Sequence, residues 1–313
     1  MARQSGKKQR FSRAGTPAHD ARTIAALGAG LLALGGGALA IRKRFDPHIA
    51  KTSSGWAFIH TVRDDGDVPV RVLYQGGGYQ SATYLGERRF EPVFEYCRNL
   101  DMMFDAEPAM RESLGHGIRR VLMLGGGGFA YPKHLLTTHP GIRMDAVEID
   151  LGVVDIARKW FFLDELEERL EDPSRACGCR LDVHVADGRA FLDAAPMGRY
   201  DAVLNDAFSG REPVRPLATV EAAQAAKACM TSGGLYLANV SSCGEGADLS
   251  FLRDEVATLL QVFAHVHVVP SADETFAGED NYLVVATDGT YGFSEVVPFD
   301  DDFLGEVLRD AER

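Results

Sequence analysis

The stretch VLMLGGGGFAYPKHLLTTHPGIRMDAVEID, residues 121–150, contains the pattern that decides the fold. Its apolar start, VLMLG, is typical of a buried strand and runs into four consecutive glycines that begin at Gly125. We predict that a helix opens near Pro132, because proline is favoured in the first turn of a helix. A second strand, MDAVEI at 144–149, follows. The segment therefore predicts a strand–turn–helix–strand unit whose turn is almost without side chains.

Strands and helical patterns keep alternating after this unit. Further predicted strands are LDVHVA (181–186), YDAVLN (200–205) and LYLANV (235–240), and VHVVPS and NYLVVAT close the series. Strict alternation predicts a Rossmann-like, doubly wound α/β fold with a mostly parallel sheet of seven strands. Ligands of such folds bind at the carboxyl ends of the strands.

A small β unit is predicted ahead of the glycine motif. WAFIHTV (56–62) and VPVRVLYQ (68–75) are separated by the turn-forming sequence DDGD, so they predict a hairpin. A helical stretch at 90–104 follows. We divide the chain into a basic N-terminal segment, a small β domain with a helix and a Rossmann-like nucleoside-binding domain, with bounds 1–50, 51–115 and 116–313.

The N-terminal segment contains a long uncharged run. TIAALGAGLLALGGGALAI, residues 23–41, is long enough to cross a bilayer at ~1.5 Å per residue. Three interpretations stay open: a membrane anchor, a leader cleaved after Ala38-Leu39-Ala40, or a disordered N-terminus. We expect a cytoplasmic catalytic domain, which the first interpretation would attach to a membrane through an N-terminal helix.

Charge and cysteine content exclude several classes of protein. Beyond residue 50 the chain has 24 Lys and Arg against 43 Asp and Glu, so it would repel a phosphate backbone and nucleic acid is not an expected partner. The five cysteines are an odd number without a repeated Cys-x-x-Cys spacing. Neither a disulfide framework nor a metal site is therefore predicted, and reduced thiols fit a cytoplasm.

The glycine turn and the acid after the second strand suggest a ligand. The turn from Gly125 to Gly127 lets main-chain N–H groups approach a bound molecule. Glu148 ends the second strand beside it, where a carboxylate can accept hydrogen bonds from both hydroxyls of a ribose. An adenosine-like ligand is predicted. Gly125, Gly127 and Ala130 also fit a dinucleotide pattern, so an NAD(P) site and a purely structural turn remain alternatives.

Two more acids follow strands at the same edge of the predicted sheet. Asp187, with Gly188, ends the third strand, and Asp206 ends the fourth. An Asp at the third position can bind the exocyclic amine of adenine. Two structural alternatives remain: Asp187 could cap the next helix, and Asp206 could anchor its loop.

Together these motifs resemble the spermidine synthase family, the polyamine aminopropyltransferases, which share the fold of S-adenosylmethionine-dependent methyltransferases. The resemblance covers roughly residues 55–288 and rests on GGGYQSATYLG, VLMLGGGG, VEID, DGR and YDAVLNDAF. It implies a co-substrate, decarboxylated or intact S-adenosylmethionine, without a metal. It also implies a polyamine such as putrescine, or another amine, as acceptor, and it is compatible with a homo-oligomer.

The resemblance also implies roles for individual residues. Gln80 and Glu148 would bind the ribose and the sulfur end of the nucleoside, and Asp187 the adenine. Asp206 would be the catalytic base that faces the amine. The remaining cofactor-binding positions are glycines of the two strand ends: Gly125, Gly126, Gly127 and Gly188.

The chain departs from the family pattern at several places. Gly128 stands where the family has an Asp after three glycines, and Ser209-Gly210 replaces the second acid of its Asp-x-x-Asp-Pro. The family's Tyr-His-Glu is not recoverable, although Glu91 and Glu95 could face the cleft. Three functions therefore stay open: aminopropyl transfer, methyl transfer from intact S-adenosylmethionine, which the missing Asp favours, and a catalytically silent nucleoside-binding protein.

Overall fold

The computed structural model describes residues 47–209, 212–241, 248–272 and 280–311. The chain from residue 46 to the C-terminus is one compact unit. The predicted bilayer-spanning run, 23–41, lies outside the described residues. Among the described residues, every helix is too short or too polar to cross a membrane.

A four-stranded antiparallel sheet opens the described chain. Its strands pair in chain order: β1 His48–Thr52, β2 Gly55–Arg63, β3 Pro69–Gln75 and β4 Gly78–Tyr84. The predicted hairpin is confirmed, because β2 and β3 pair in antiparallel register. Asp64 closes its turn by accepting hydrogen bonds from the N–H groups of Gly66 and Val68. Both sheet faces contribute to the core, since Ile59 and Val72 are fully buried.

A helical connection leads from this sheet to the main one. It consists of α1 Glu95–Asn99, a 3₁₀ segment Leu100–Ala106 and α2 Glu107–Leu114. Gly115 ends α2 in the left-handed conformation that glycine favours. The helical stretch predicted at 90–104 is thus present from Glu95 onward, as α1 and most of the 3₁₀ segment, and α2 lies beyond it.

The later strands are β5 Arg120–Leu124, β6 Arg143–Glu148, β7 Arg180–Val185, β8 Tyr200–Asn205, β9 Phe208–Ser209, β10 Glu212–Pro213, β11 Met230–Ser241, β12 His265–Ala272 and β13 Asp280–Thr287. In the described part of the chain, seven of them form the main sheet in the order β12-β13-β11-β8-β5-β6-β7, and the two-residue strands β9 and β10 pair separately. The strands β5 to β8 and β11 are parallel, whereas β13 runs antiparallel to both of its neighbours. The predicted mostly parallel seven-stranded sheet is confirmed.

Helices cover both faces of this sheet. Their bounds are α3 Ala130–Thr138, α4 Leu151–Trp160, α5 Leu163–Glu171, α6 Gly188–Ala194, α7 Val220–Cys229 and α8 Ser250–Leu259. One core lies under α3 to α5 and the other under α6 to α8. The doubly wound arrangement is therefore as predicted.

Helix α5 was not predicted. It buries Leu163 and Leu166, which are spaced three residues apart as on one helix face. Its start has no capping side chain, because Phe162 occupies that place in a left-handed conformation. The division into domains at 51–115 and 116–313 stays a prediction, and the first strand begins three residues before the predicted boundary.

Candidate active site

The turn after β5 needs glycine for a steric reason. Gly125 has φ of 94°, and a Cβ there would lie 2.3 Å from the carbonyl oxygen of Asp206. The contact exists because β5 and β8 are neighbours whose ends, Leu124 and Asn205, are in register. Because this turn has no side chain at Gly125, the ends of β5 and β8 can approach each other.

Glu148 ties the glycine turn to the second strand. One of its carboxylate oxygens, Oε2, accepts hydrogen bonds of 3.0 Å from the N–H groups of Gly126 and Gly127. The other, Oε1, accepts one of 3.0 Å from the N–H of Asp150. Since a carboxylate has about four acceptor positions, one remains on Oε1. The predicted contact with a ribose would use that position or rearrange the turn.

Asp187 and Gly188 join the third strand to α6. Asp187 Oδ1 accepts a 2.8 Å hydrogen bond from the N–H of Ala190, so Asp187 caps α6. This is the structural alternative that the sequence left open for Asp187. Its side chain is exposed. A Cβ on Gly188 would make only an ordinary contact with Leu217. The predicted adenine contact is compatible with the cap, because a cap uses one of the two carboxylate oxygens.

Asp206 lies between side chains from two other elements. Its Oδ1 accepts a 2.8 Å hydrogen bond from Nδ2 of Asn239 in β11, and the hydroxyl of Tyr96 in α1 also bonds to the carboxylate. Burial raises the pKa of Asp206 to about 7, although these two hydrogen bonds act to lower it. A carboxyl group with this pKa is close to half ionised at neutral pH and can exchange a proton there.

One cavity of about 680 Å³ brings the predicted site residues together. Its walls include every position predicted from the sequence: Gln80, Gly125, Gly126, Gly127, Glu148, Asp187, Gly188 and Asp206. The volume is within the range of small-molecule sites, roughly 300–1,000 Å³. The residues thus converge as predicted, while the individual binding roles stay predictions.

Several cavity residues were missed by sequence reasoning. Tyr96 and Asn239 come from distant elements, and the one local signal was a polar Asn in the apolar strand LYLANV. Asp150 was also missed, although it follows Glu148 and caps α4. Its Oδ2 accepts hydrogen bonds from the N–H and hydroxyl of Ser53, so it ties the small sheet to the main one.

Three residues named where the chain departs from the family pattern lie outside the cavity. Gly128 does not line the cavity: it is buried, and a Cβ there would lie 2.4 Å from Oγ of Ser81 and 2.9 Å from the ring of Phe161. Glu91 and Glu95 do not line it either. They pair with the neighbouring arginines Arg88 and Arg98 on the surface of the small unit.

A C-terminal clamp, formed by Arg189 and Asp310, supports the cavity wall around α6. Nη1 and Nη2 of Arg189 donate to the two carboxylate oxygens of Asp310 at 2.8 and 2.9 Å. Nη1 also donates to the carbonyl of Pro216 at 3.1 Å. Arg189 and Pro216 both line the cavity, so the clamp connects the end of the chain to the predicted adenine side.

The sheet order and a cavity at the carboxyl ends of the parallel strands define a methyltransferase-like α/β protein. Comparison with protein families matches residues 108–277 to the Spermine/spermidine synthase domain. The chain therefore belongs to the spermine/spermidine synthase family, whose members are transferases.

Individual relatives agree with this family. A polyamine aminopropyltransferase of Vibrio vulnificus is 31% identical over 62% of this chain and 57% of that protein. Putrescine N-methyltransferase 1 of Nicotiana tabacum is 30% identical over 70% of this chain and 58% of that protein. The structure of a probable spermidine synthase from Corynebacterium glutamicum has the same fold, with a TM-score of 0.58 and 23% identity over 79% of this chain and 82% of that one.

Proposed function

We propose that this protein transfers an aminopropyl group from decarboxylated S-adenosylmethionine to an amine acceptor such as putrescine, with Asp206 as the base. The observation that carries the proposal is the half-buried carboxylate of Asp206, held by Asn239 and Tyr96 in the cavity that also contains the glycine turn. Membership of the spermine/spermidine synthase family supports the substrate class.

The reaction is a displacement at the carbon next to a sulfonium. The amine nitrogen forms a new C–N bond, the C–S bond breaks, and methylthioadenosine leaves with the electron pair on its sulfur. The acceptor is an ammonium at neutral pH, with a pKa near ~10, so it must lose a proton before it attacks. The Asp206 carboxylate accepts that proton, and its raised pKa makes it a stronger base than an ordinary carboxylate.

The rest of the cavity suits a nucleoside. Glu148, on the main sheet, and Gln80, on the small sheet, both line the cavity and would bind the ribose and the sulfur end. Asp187, at the start of α6, would bind the adenine amine. Much of the rate would come from holding the two reactants in line, with general base catalysis adding ~10²–10⁴-fold.

Methyl transfer from intact S-adenosylmethionine is the second candidate. The observation that favours it is the similarity to putrescine N-methyltransferase 1 of Nicotiana tabacum, which is as close in identity as the aminopropyltransferase relative. Asp206 would serve this reaction in the same way, because an amine again attacks a carbon on the sulfonium. A cytoplasmic location and a homo-oligomer remain predictions for either reaction.

Product analysis of the full chain separates the two reactions. The protein is incubated with a polyamine mixture and either decarboxylated or intact S-adenosylmethionine, and the nucleoside product is identified by mass spectrometry. Methylthioadenosine together with a lengthened polyamine supports the proposal. S-adenosylhomocysteine identifies a methyltransferase, and no amine-dependent product from either donor would mean that the protein only binds the nucleoside. Asp206→Asn is the matched control for background hydrolysis.

A further inference from the structure

Three side chains with metal-binding atoms meet at the far end of α3 from the glycine turn. Asp101 belongs to the 3₁₀ segment Leu100–Ala106, His134 to the middle of α3, and His139 follows the end of that helix. One oxygen or nitrogen of each residue lies within 4.8 Å of the others. We propose that Asp101, His134 and His139 bind a divalent transition-metal ion, of which Zn²⁺ fits best.

The distances require little rearrangement. Oδ2 of Asp101 is 2.7 Å from Nε2 of His134 and 3.7 Å from Nε2 of His139. Tetrahedral zinc with bonds of ~2.0–2.2 Å holds its ligand atoms roughly 3.3 Å apart. These two separations lie on either side of that value, and the third, between the ligand nitrogens of the two histidines, is at most 4.8 Å. Shifts of a few tenths of an ångström would bring the first two to zinc geometry, and the histidines would need to approach each other by up to roughly 1.5 Å.

Neighbouring side chains already orient two of the ligands. The hydroxyl of Tyr131 donates to Oδ1 of Asp101 at 3.0 Å, which leaves Oδ2 for the ion. The ring of Phe104 stacks on His139, with centroids 3.9 Å apart and planes 8° apart. Such outer contacts fix the orientation of metal ligands and raise affinity.

The donor set indicates the class of ion. Two imidazoles and one carboxylate suit zinc and its first-row neighbours, whereas Mg²⁺ and Ca²⁺ prefer all-oxygen sites. The side chains of His134 and His139 are 18% and 32% exposed, so an ion can enter from solvent and keep a water as a fourth ligand. None of the three ligands lines the cavity, which makes this a site separate from the proposed reaction. A bound ion would join the 3₁₀ segment to α3.

Zinc titration of the full chain tests the proposal. Protein stripped with a chelator is titrated with ZnCl₂ by calorimetry, and the Co²⁺ form is examined for the visible absorption bands of a protein-bound ion. We expect one Zn²⁺ per chain at this site, and His134→Gln and His139→Gln should each weaken binding by at least ~10-fold. His184→Gln is the matched control, because His184 also pairs with a carboxylate, that of Asp145 at 2.7 Å, but belongs to no group of three metal-binding side chains among the described residues.

The competing binder is the Cys177/Cys179 pair, whose Cys179 thiol donates to the carbonyl of His139. A double Cys177→Ser, Cys179→Ser variant that keeps full affinity supports the proposal. Binding that follows the cysteines, equal weakening by His184→Gln, or no saturable binding to the wild type would overturn it. Circular dichroism of each variant shows that it is folded.

Discussion

The pKa of Asp206 should set the pH dependence of turnover. Its carboxyl has a pKa of about 7 because it is buried, and a base acts only when deprotonated. We therefore expect the rate to fall about tenfold per pH unit below pH ~7 and to level off above it. Asp206→Asn should remove this acid limb and lower turnover by ~10²-fold or more, with little change in nucleoside binding.

A second test removes the hydrogen-bond donors of Asp206 one at a time, which should shift its pKa without removing the carboxylate. The hydroxyl of Tyr96 stabilises the ionised carboxylate, and a hydrogen bond to a charged group contributes ~1.5–3 kcal/mol. One pKa unit corresponds to 1.36 kcal/mol, so Tyr96→Phe should move the acid limb up by roughly one to two pH units. Removing the amide donor with Asn239→Leu should shift it in the same direction.

The assay measures the initial rate of nucleoside product formation from about pH 5.5 to 9.5. Rates at low amine report the pKa of Asp206 in the free enzyme, and rates at saturating amine report its pKa in the substrate complex. Glu168→Gln, at an exposed acid of α5 away from the cavity, is the control and should keep the wild-type profile. A limb near pH 7 that persists in Asp206→Asn, or activity within a few fold of the wild type, would refute the assignment of the base.

Stability distinguishes a base from a loop anchor at the same residue. The folded pKa of Asp206, about 7, is above its ordinary value of 3.8. The folded state therefore loses stability as pH rises from about 4 to 7, and below pH 4 both states are protonated. Asp206→Asn lacks this loss, so its melting temperature should exceed that of the wild type at pH 8 but not at pH 4. A loop anchor would instead melt lower at both.

Three further changes test the fold around the site. Gly125→Ala should destabilise the protein by more than ~1 kcal/mol and abolish activity, because the added methyl group meets the backbone of Asp206; urea unfolding measures the first effect. Burial raises the pKa of Glu255 to about 8, so the wild type must bury a charge above that pH. Glu255→Gln should therefore stabilise the protein by ~1–3 kcal/mol above pH 8 and have no such effect at pH 4. Equal unfolding curves of the two proteins at pH 9 would contradict this. Asp310→Asn breaks the C-terminal clamp between Arg189 and Asp310. It should raise KM for the nucleoside about fivefold, equivalent to ~1 kcal/mol, and leave kcat unchanged. The control Arg309→Gln should alter neither constant.

Much of the main domain could be predicted because its signals are local. Apolar strands alternate with amphipathic helices, and the rules for parallel sheets then place Glu148, Asp187 and Asp206 at one edge. The partners of Asp206 could not be predicted in this way. Tyr96 is 110 residues away in the chain, and its approach depends on how the small unit packs on the sheet. Asn239 depends on the strand order, which places β11 beside β8.

Gly128 stands where the family has an Asp, and the meaning of this departure depends on the residues packed around it. From the sequence alone, its loss favoured methyl transfer, because a negative charge next to the donor's tail would be absent. The structure places Gly128 against Ser81 and Phe161, where no carboxylate side chain fits without moving both. Ser81 and Phe161 therefore occupy the space that a side chain at position 128 would need, and the glycine alone does not discriminate between the donors. Discrimination must come from groups that line the cavity. Gln80 and Ser81 lie beside Gly127 of the glycine turn, and Asp150 lies two residues after Glu148; replacing each of them should shift the ratio of affinities for the two nucleosides.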